Sequence, residues 1–67
     1  MTKYIRFVKG TFGNDADDVV EVEMETEGDY YYTDGFDRWC YIEKDSPSIV
    51  PATAEEFDAT VRPENMV

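Results

Sequence analysis

The stretch Asp18-Val19-Val20-Glu21-Val22-Glu23-Met24-Glu25-Thr26-Glu27-Gly28-Asp29-Tyr30-Tyr31-Tyr32-Thr33 decides how this chain is read. Val20, Val22 and Met24 alternate with Glu21, Glu23, Glu25 and Glu27, and a period of two belongs to a strand, whose successive side chains point to opposite faces. A helix would scatter the same glutamates around its circumference. The alternation predicts a strand with Val20, Val22 and Met24 toward a core and a row of carboxylates on the other face. Glycine inside a strand pattern interrupts the ladder, so Gly28-Asp29 predicts a bulge or bend, after which Tyr30-Tyr31-Tyr32 continue the strand.

Upstream, Lys3-Tyr4-Ile5-Arg6-Phe7-Val8-Lys9 alternates charges with β-branched and aromatic residues and stops at Gly10, a strand with Ile5 and Phe7 inward. Residues 11–17 cluster Gly, Asn and Asp, which accept turn geometry, and predict a loop with Phe12 tucked beneath it. Downstream, Asp34-Gly35 is a turn signal, and Arg38-Trp39-Cys40-Tyr41-Ile42-Glu43 is expected to return antiparallel to the tyrosines. At least half of Tyr30, Tyr32 and Trp39 are expected in the core, and Cys40 is read as a small apolar residue. After the loop at Ser46-Pro47, Ile49-Val50 supply a short extended piece before Pro51. Thr53 and Glu56 form a capping box for a C-terminal helix with Ala54, Phe57 and Val61 on its packed face, and Pro63 ends it ahead of a frayed 64–67 tail. The expected fold is α+β: one domain over 1–67, an antiparallel sheet of three to four strands with one short C-terminal helix packed on it.

Sixty-seven residues fold as a thin domain that hides only about 60% of its unfolded surface. A hydrophobic share of 42% and an aromatic share of 15% are too high for a disordered acidic tail. No apolar run reaches the roughly 18 residues of a membrane span, and the N-terminus lacks a signal-peptide block, so a cytoplasmic protein is expected. A single cysteine and no histidine exclude an internal disulfide and a zinc site of multiple Cys and His. With only Ser46 and Ser48 as serines, the usual nucleophile and base pairs cannot be assembled, and binding is expected rather than catalysis. No cofactor and no metal are expected.

Sixteen acids against six bases leave a formal charge of −10. Between Gly10 and Asp37 lie ten carboxylates, Asp15, Asp17, Asp18, Glu21, Glu23, Glu25, Glu27, Asp29, Asp34 and Asp37, with no Lys or Arg among them. Like charges two residues apart on a strand cost roughly 0.6 kcal/mol per pair before screening. Arg6 on the neighbouring strand is expected to offset part of this by pairing with one or two glutamates. An acidic face can serve solubility and block edge-to-edge pairing. Mixed charges would do that without self-repulsion, which favours a use for the row. Tyr31 on the acidic face and Phe36 at a turn tip complete the candidate partner-binding set, since rings receive arginine groups.

In size, acid excess, the Glu21-Glu23-Glu25-Glu27 row and lack of catalytic equipment, the chain resembles the small acidic inhibitors that bacteriophages encode, including DNA-mimicking anti-CRISPR proteins. The resemblance covers composition and carries no diagnostic motif. It implies that the acidic face occupies the basic DNA-binding channel of a bacterial defence protein such as a CRISPR-Cas surveillance subunit or nuclease. Direct nucleic-acid binding is disfavoured by like charge, and no membrane partner is expected.

Three other readings rank lower. A calcium loop at residues 14–18 lacks the glycine and glutamate that the helix-loop-helix pattern demands. A glycosidase-like acid pair lacks room for a cleft. The main alternative is a β-rich interaction module or phage accessory protein whose acidity is only solvation, binding through its aromatic patch or a sheet edge.

Overall fold

The computed structural model describes residues 2–61, with Val61 described in its backbone only; the expected helix stop at Pro63 and the 64–67 tail lie outside the described residues. In chain order the elements are β1 (Lys3–Phe7), β2 (Val19–Val22), β3 (Met24–Glu25), β4 (Asp29–Thr33), β5 (Trp39–Glu43), β6 (Ile49–Ala52) and α1 (Ala54–Val61). The α+β class holds, with the strands divided over two antiparallel three-stranded sheets, β2-β1-β6 and β3-β4-β5.

The inward set of the first sheet follows the alternation. Ile5 and Phe7 on β1 are buried, Val20 is the register partner of Ile5, and Ile49 that of Phe7. These residues meet Tyr30, Tyr32, Cys40 and Ile42 of the second sheet, with the Phe7 and Tyr32 rings edge to face at 5.5 Å. Pro51 sits opposite Ile5 on β6, where an edge strand can do without one donor. The other face of the first sheet carries Tyr4, and α1 lies there with Phe57 tilted against the Tyr4 ring at 5.0 Å. Helix, first sheet and second sheet are thus stacked in three layers.

The helix begins as read. Glu56 N donates to Thr53 Oγ1 at 3.1 Å while Thr53 N donates to Glu56 Oε1 at 2.8 Å, which satisfies two end donors reciprocally. Ala54, expected on the packed face, is exposed.

The acidic strand departs from its reading at one residue. Met24 is the register partner of Tyr31, yet Glu23 N also donates to Tyr31 O at 2.8 Å. Two residues opposing one is a β-bulge, and a one-residue slip exchanges the faces of everything that follows. Met24 therefore turns outward, 46% exposed, and Glu25 takes the other face, opposite Tyr30. The bulge also hands the chain from the first sheet to the second. Gly28 is not the interruption within a continuing strand that its position suggested. Thr26 N donates to Asp29 O at 3.0 Å and Asp29 N to Thr26 Oγ1 at 3.1 Å, closing a turn after which the tyrosines run back antiparallel beside β3.

The expected β4–β5 hairpin is present, with Thr33 opposite Trp39, Tyr32 opposite Cys40 and Tyr31 opposite Tyr41. Of the three core candidates, Tyr32 is in the core and Tyr30 packs against it, whereas that register places Trp39 outside. Tyr32 is buried, so its partner Cys40 faces inward, and Trp39 one residue earlier faces solvent at 56% exposure. Phe12 is not tucked under its loop either. It is 82% exposed.

Candidate protein-docking surface

The twelve residues singled out in the sequence separate into three groups. Asp34 and Glu25 are structural acceptors. The Asp34 side chain is 2% exposed and takes hydrogen bonds from Phe36 N and Arg38 N, both at 2.9 Å, and from Arg38 Nε at 3.0 Å and Nη2 at 2.7 Å. The Arg38 guanidinium, then these backbone donors, hold its carboxyl far below the usual carboxylate range. Cys40 Sγ lies 3.4 Å from the same carboxylate, and burial first, then this contact, push the thiol up. Glu25 Oε2 is shared by Lys44 Nζ at 2.5 Å and Lys3 Nζ at 3.1 Å, which lowers its pKa and raises that of Lys3. Both ammonium groups also lie within 6 Å of the Tyr30 ring centroid, Lys44 at 5.4 Å and Lys3 at 5.9 Å.

A second group lies on the loops at one end. Asp18 Oδ2 accepts from Asp15 N at 2.9 Å and from Asn14 Nδ2 at 3.4 Å, closing the 14–18 loop. Asp17, in the left-handed region at φ 72°, pairs with Arg6 at 3.2 Å. The expected partners of Arg6 were the row glutamates. Arg6 lies opposite Val19, the first residue of β2, which places it beside the loop that carries Asp17. Gly35 N donates to Gly13 O at 2.8 Å and ties this loop to the 34–38 turn. The Arg38 guanidinium lies 4.7 Å from the Phe12 centroid and 5.3 Å from that of Phe36. These exposed rings cover a cation of their own chain, and Asp15 and Asp37 stand free in solvent beside them.

The third group is divided between the two sheets. Glu21 remains on the first sheet, on the face that carries α1. Glu23 follows the bulge outward and accepts from Thr33 Oγ1 at 2.7 Å, Glu27 is exposed at the turn, and Asp29 begins β4 opposite Glu43. The four glutamates therefore do not form one line on one face. What the outer face of the second sheet does assemble is aromatic. Tyr31 stacks on Trp39 at 5.9 Å and lies tilted against Tyr41 at 5.7 Å, with Met24 opposite Tyr31. Trp39, Tyr41, Met24 and Glu43 were not among the expected site residues. Counting register outward from the turn, with Thr33 opposite Trp39, is the signal that would have found the first two.

Only Asp17, Glu25 and Asp34 are ion-paired among the described residues, and Lys3, Arg6, Arg38 and Lys44 make all of those pairs. Among the described residues no helix is long and apolar enough to cross a membrane. Comparison of the chain finds no matching family model, no match among curated proteins and none among solved structures.

Proposed function

We propose that this protein is a non-enzymatic inhibitor whose acidic surface occupies the basic nucleic-acid-binding site of another protein, of the kind found in bacterial defence complexes such as CRISPR-Cas surveillance subunits, and that it acts in the bacterial cytoplasm. The observation that supports this reading is how the charges are distributed. Among the described residues four cations are spent on three carboxylates and on the chain's own rings, which leaves twelve described carboxylates outside any ion pair. Such a field draws a basic cleft at long range and competes with phosphates for it. The mimicry is then a property of a broad surface that includes Asp15, Glu21, Glu23, Glu27, Asp29 and Asp37, rather than of one straight row.

The test is affinity capture from a bacterial lysate followed by elution with salt or with short double-stranded DNA. A nucleic-acid-binding protein released by both, and no longer captured by a folded Asp15→Asn, Glu21→Gln, Glu27→Gln, Asp37→Asn variant, is the expected result. Glu25 and Asp34 are left intact because they hold the fold. Undiminished capture by that variant would overturn the reading. The exposed aromatic face favours a second reading, an interaction module whose acidity is only solvation, and partners that resist both eluents would support it.

A further inference from the structure

We infer that the outer face of the second sheet is the anchor of this surface, and that its occupant is an arginine-bearing segment of a basic protein; this rests on the acidic-surface reading and names its central contact. Tyr31, Trp39 and Tyr41 form a contiguous set of rings, with Trp39 56% and Tyr41 65% exposed. Trp and Tyr concentrate interface energy because they offer large contact area at small entropic cost. Both ends of the ring set are acidic. Glu23 stands at one end through its bond to Thr33, and Asp29 and Glu43 are direct register partners at the other.

Like charges directly opposite each other destabilise a sheet, and a passing cation would relieve that repulsion. No described cation of the chain does so. Lys3 and Lys44 are bonded to Glu25 and lie over the Tyr30 ring, Arg6 is paired with Asp17, and Arg38 is held between Asp34, Phe12 and Phe36. The chain's own Arg38 shows the contact that the open face lacks: a planar guanidinium with carboxylate on its edge and rings on its face.

Charge selects among possible occupants. A second copy would bring two −10 molecules together, and a single-stranded nucleic acid, whose bases could stack on the rings, would bring phosphates toward Glu23, Asp29 and Glu43. An arginine side chain satisfies rings and acids at once.

The experiment titrates the isotope-labelled protein with an arginine-rich peptide, a lysine peptide of equal length and a single-stranded DNA oligonucleotide, following amide shifts at low salt. The arginine peptide should move Met24, Tyr31, Trp39, Tyr41 and the Trp39 indole N–H, and bind more tightly than the lysine peptide. A Trp39→Thr, Tyr41→Thr variant should bind it about fivefold to thirtyfold more weakly. Trp39→Leu, Tyr41→Leu, which keeps apolar area without the π faces, should show a similar loss and serves if the threonine variant does not fold. Unchanged affinity in the leucine variant, or shifts confined to Asp15, Glu21 and Asp37, would overturn this anchor while leaving the acidic-surface reading standing. Failure of both basic peptides to bind would overturn the two together. Shifts of this face on concentrating the protein alone, or with DNA alone, would assign it to a second copy or to a nucleic acid instead.

Discussion

The two oxygens of one side chain, Asp34, take the donors of Phe36, Arg38 and Cys40, so the connection between β4 and β5 depends on a single carboxylate. Its pKa in the folded chain is depressed, chiefly by Arg38, from an ordinary value of 3.8. A depressed carboxylate contributes stability that is fully present above its unfolded pKa and drains away as the pH falls toward the folded one. Thermal melts carried from neutral pH into acid should therefore show stability falling below about pH 4. Asp34→Asn should lower the neutral melting temperature and make that acid limb shallower; an unchanged limb would assign it to other groups. Two glycines respond oppositely to the same change. A Cβ at Gly13 would collide with the Asp34 carboxylate, so Gly13→Ala should cost about 1–3 kcal/mol. Gly28 has nothing within 4 Å of its would-be Cβ and no positive φ. Gly28→Ala should gain about 0.4–1 kcal/mol by restricting the unfolded chain, as denaturant midpoints would report.

At the scale of elements, the capping box offers the cleanest measurement. Thr53→Ala removes the side-chain acceptor of Glu56 N and should cost about 1 kcal/mol, with faster amide exchange confined to α1. Loss of protection across both sheets would mean instead that the helix holds the first sheet together through Phe57 and Tyr4. This cap, the inward Ile5 and Phe7 and the β4–β5 hairpin were legible in sequence because each depends on residues close along the chain. The bulge at Glu23 was not. Val22-Glu23-Met24 continues the alternation without a break, and only the competing claim of Tyr31 O on two successive residues decides where the faces exchange. Phe12, and Trp39 as a core candidate, were misplaced for a related reason. Aromatic character argues for burial, but of the described rings this thin core buries only Phe7 and Tyr32.

For the molecule as a whole, the −10 charge and the four ion pairs among the described residues pull in opposite directions as salt is added. Exposed pairs are worth little, whereas repulsion acts between all the unpaired acids. The melting temperature should therefore rise from low salt to about 0.15 M, where the screening length is ~8 Å. A fall would show that the bridges of Glu25 and Asp34 outweigh the repulsion. The acid excess was plain in the composition. Its distribution over both sides of a three-layer stack was not, because two sheets and a crossing strand set it.

The position of the only tryptophan also governs how this protein reports on itself in optical experiments. Trp39 already meets water in the native state, so its emission has little further to shift when the chain opens, and a denaturation curve followed at that wavelength would look nearly flat. Folding is better read from the far-ultraviolet signal of the strands. The indole's brightness and colour are left to respond to whatever covers the ring, which makes the native residue a built-in gauge of occupancy on that face.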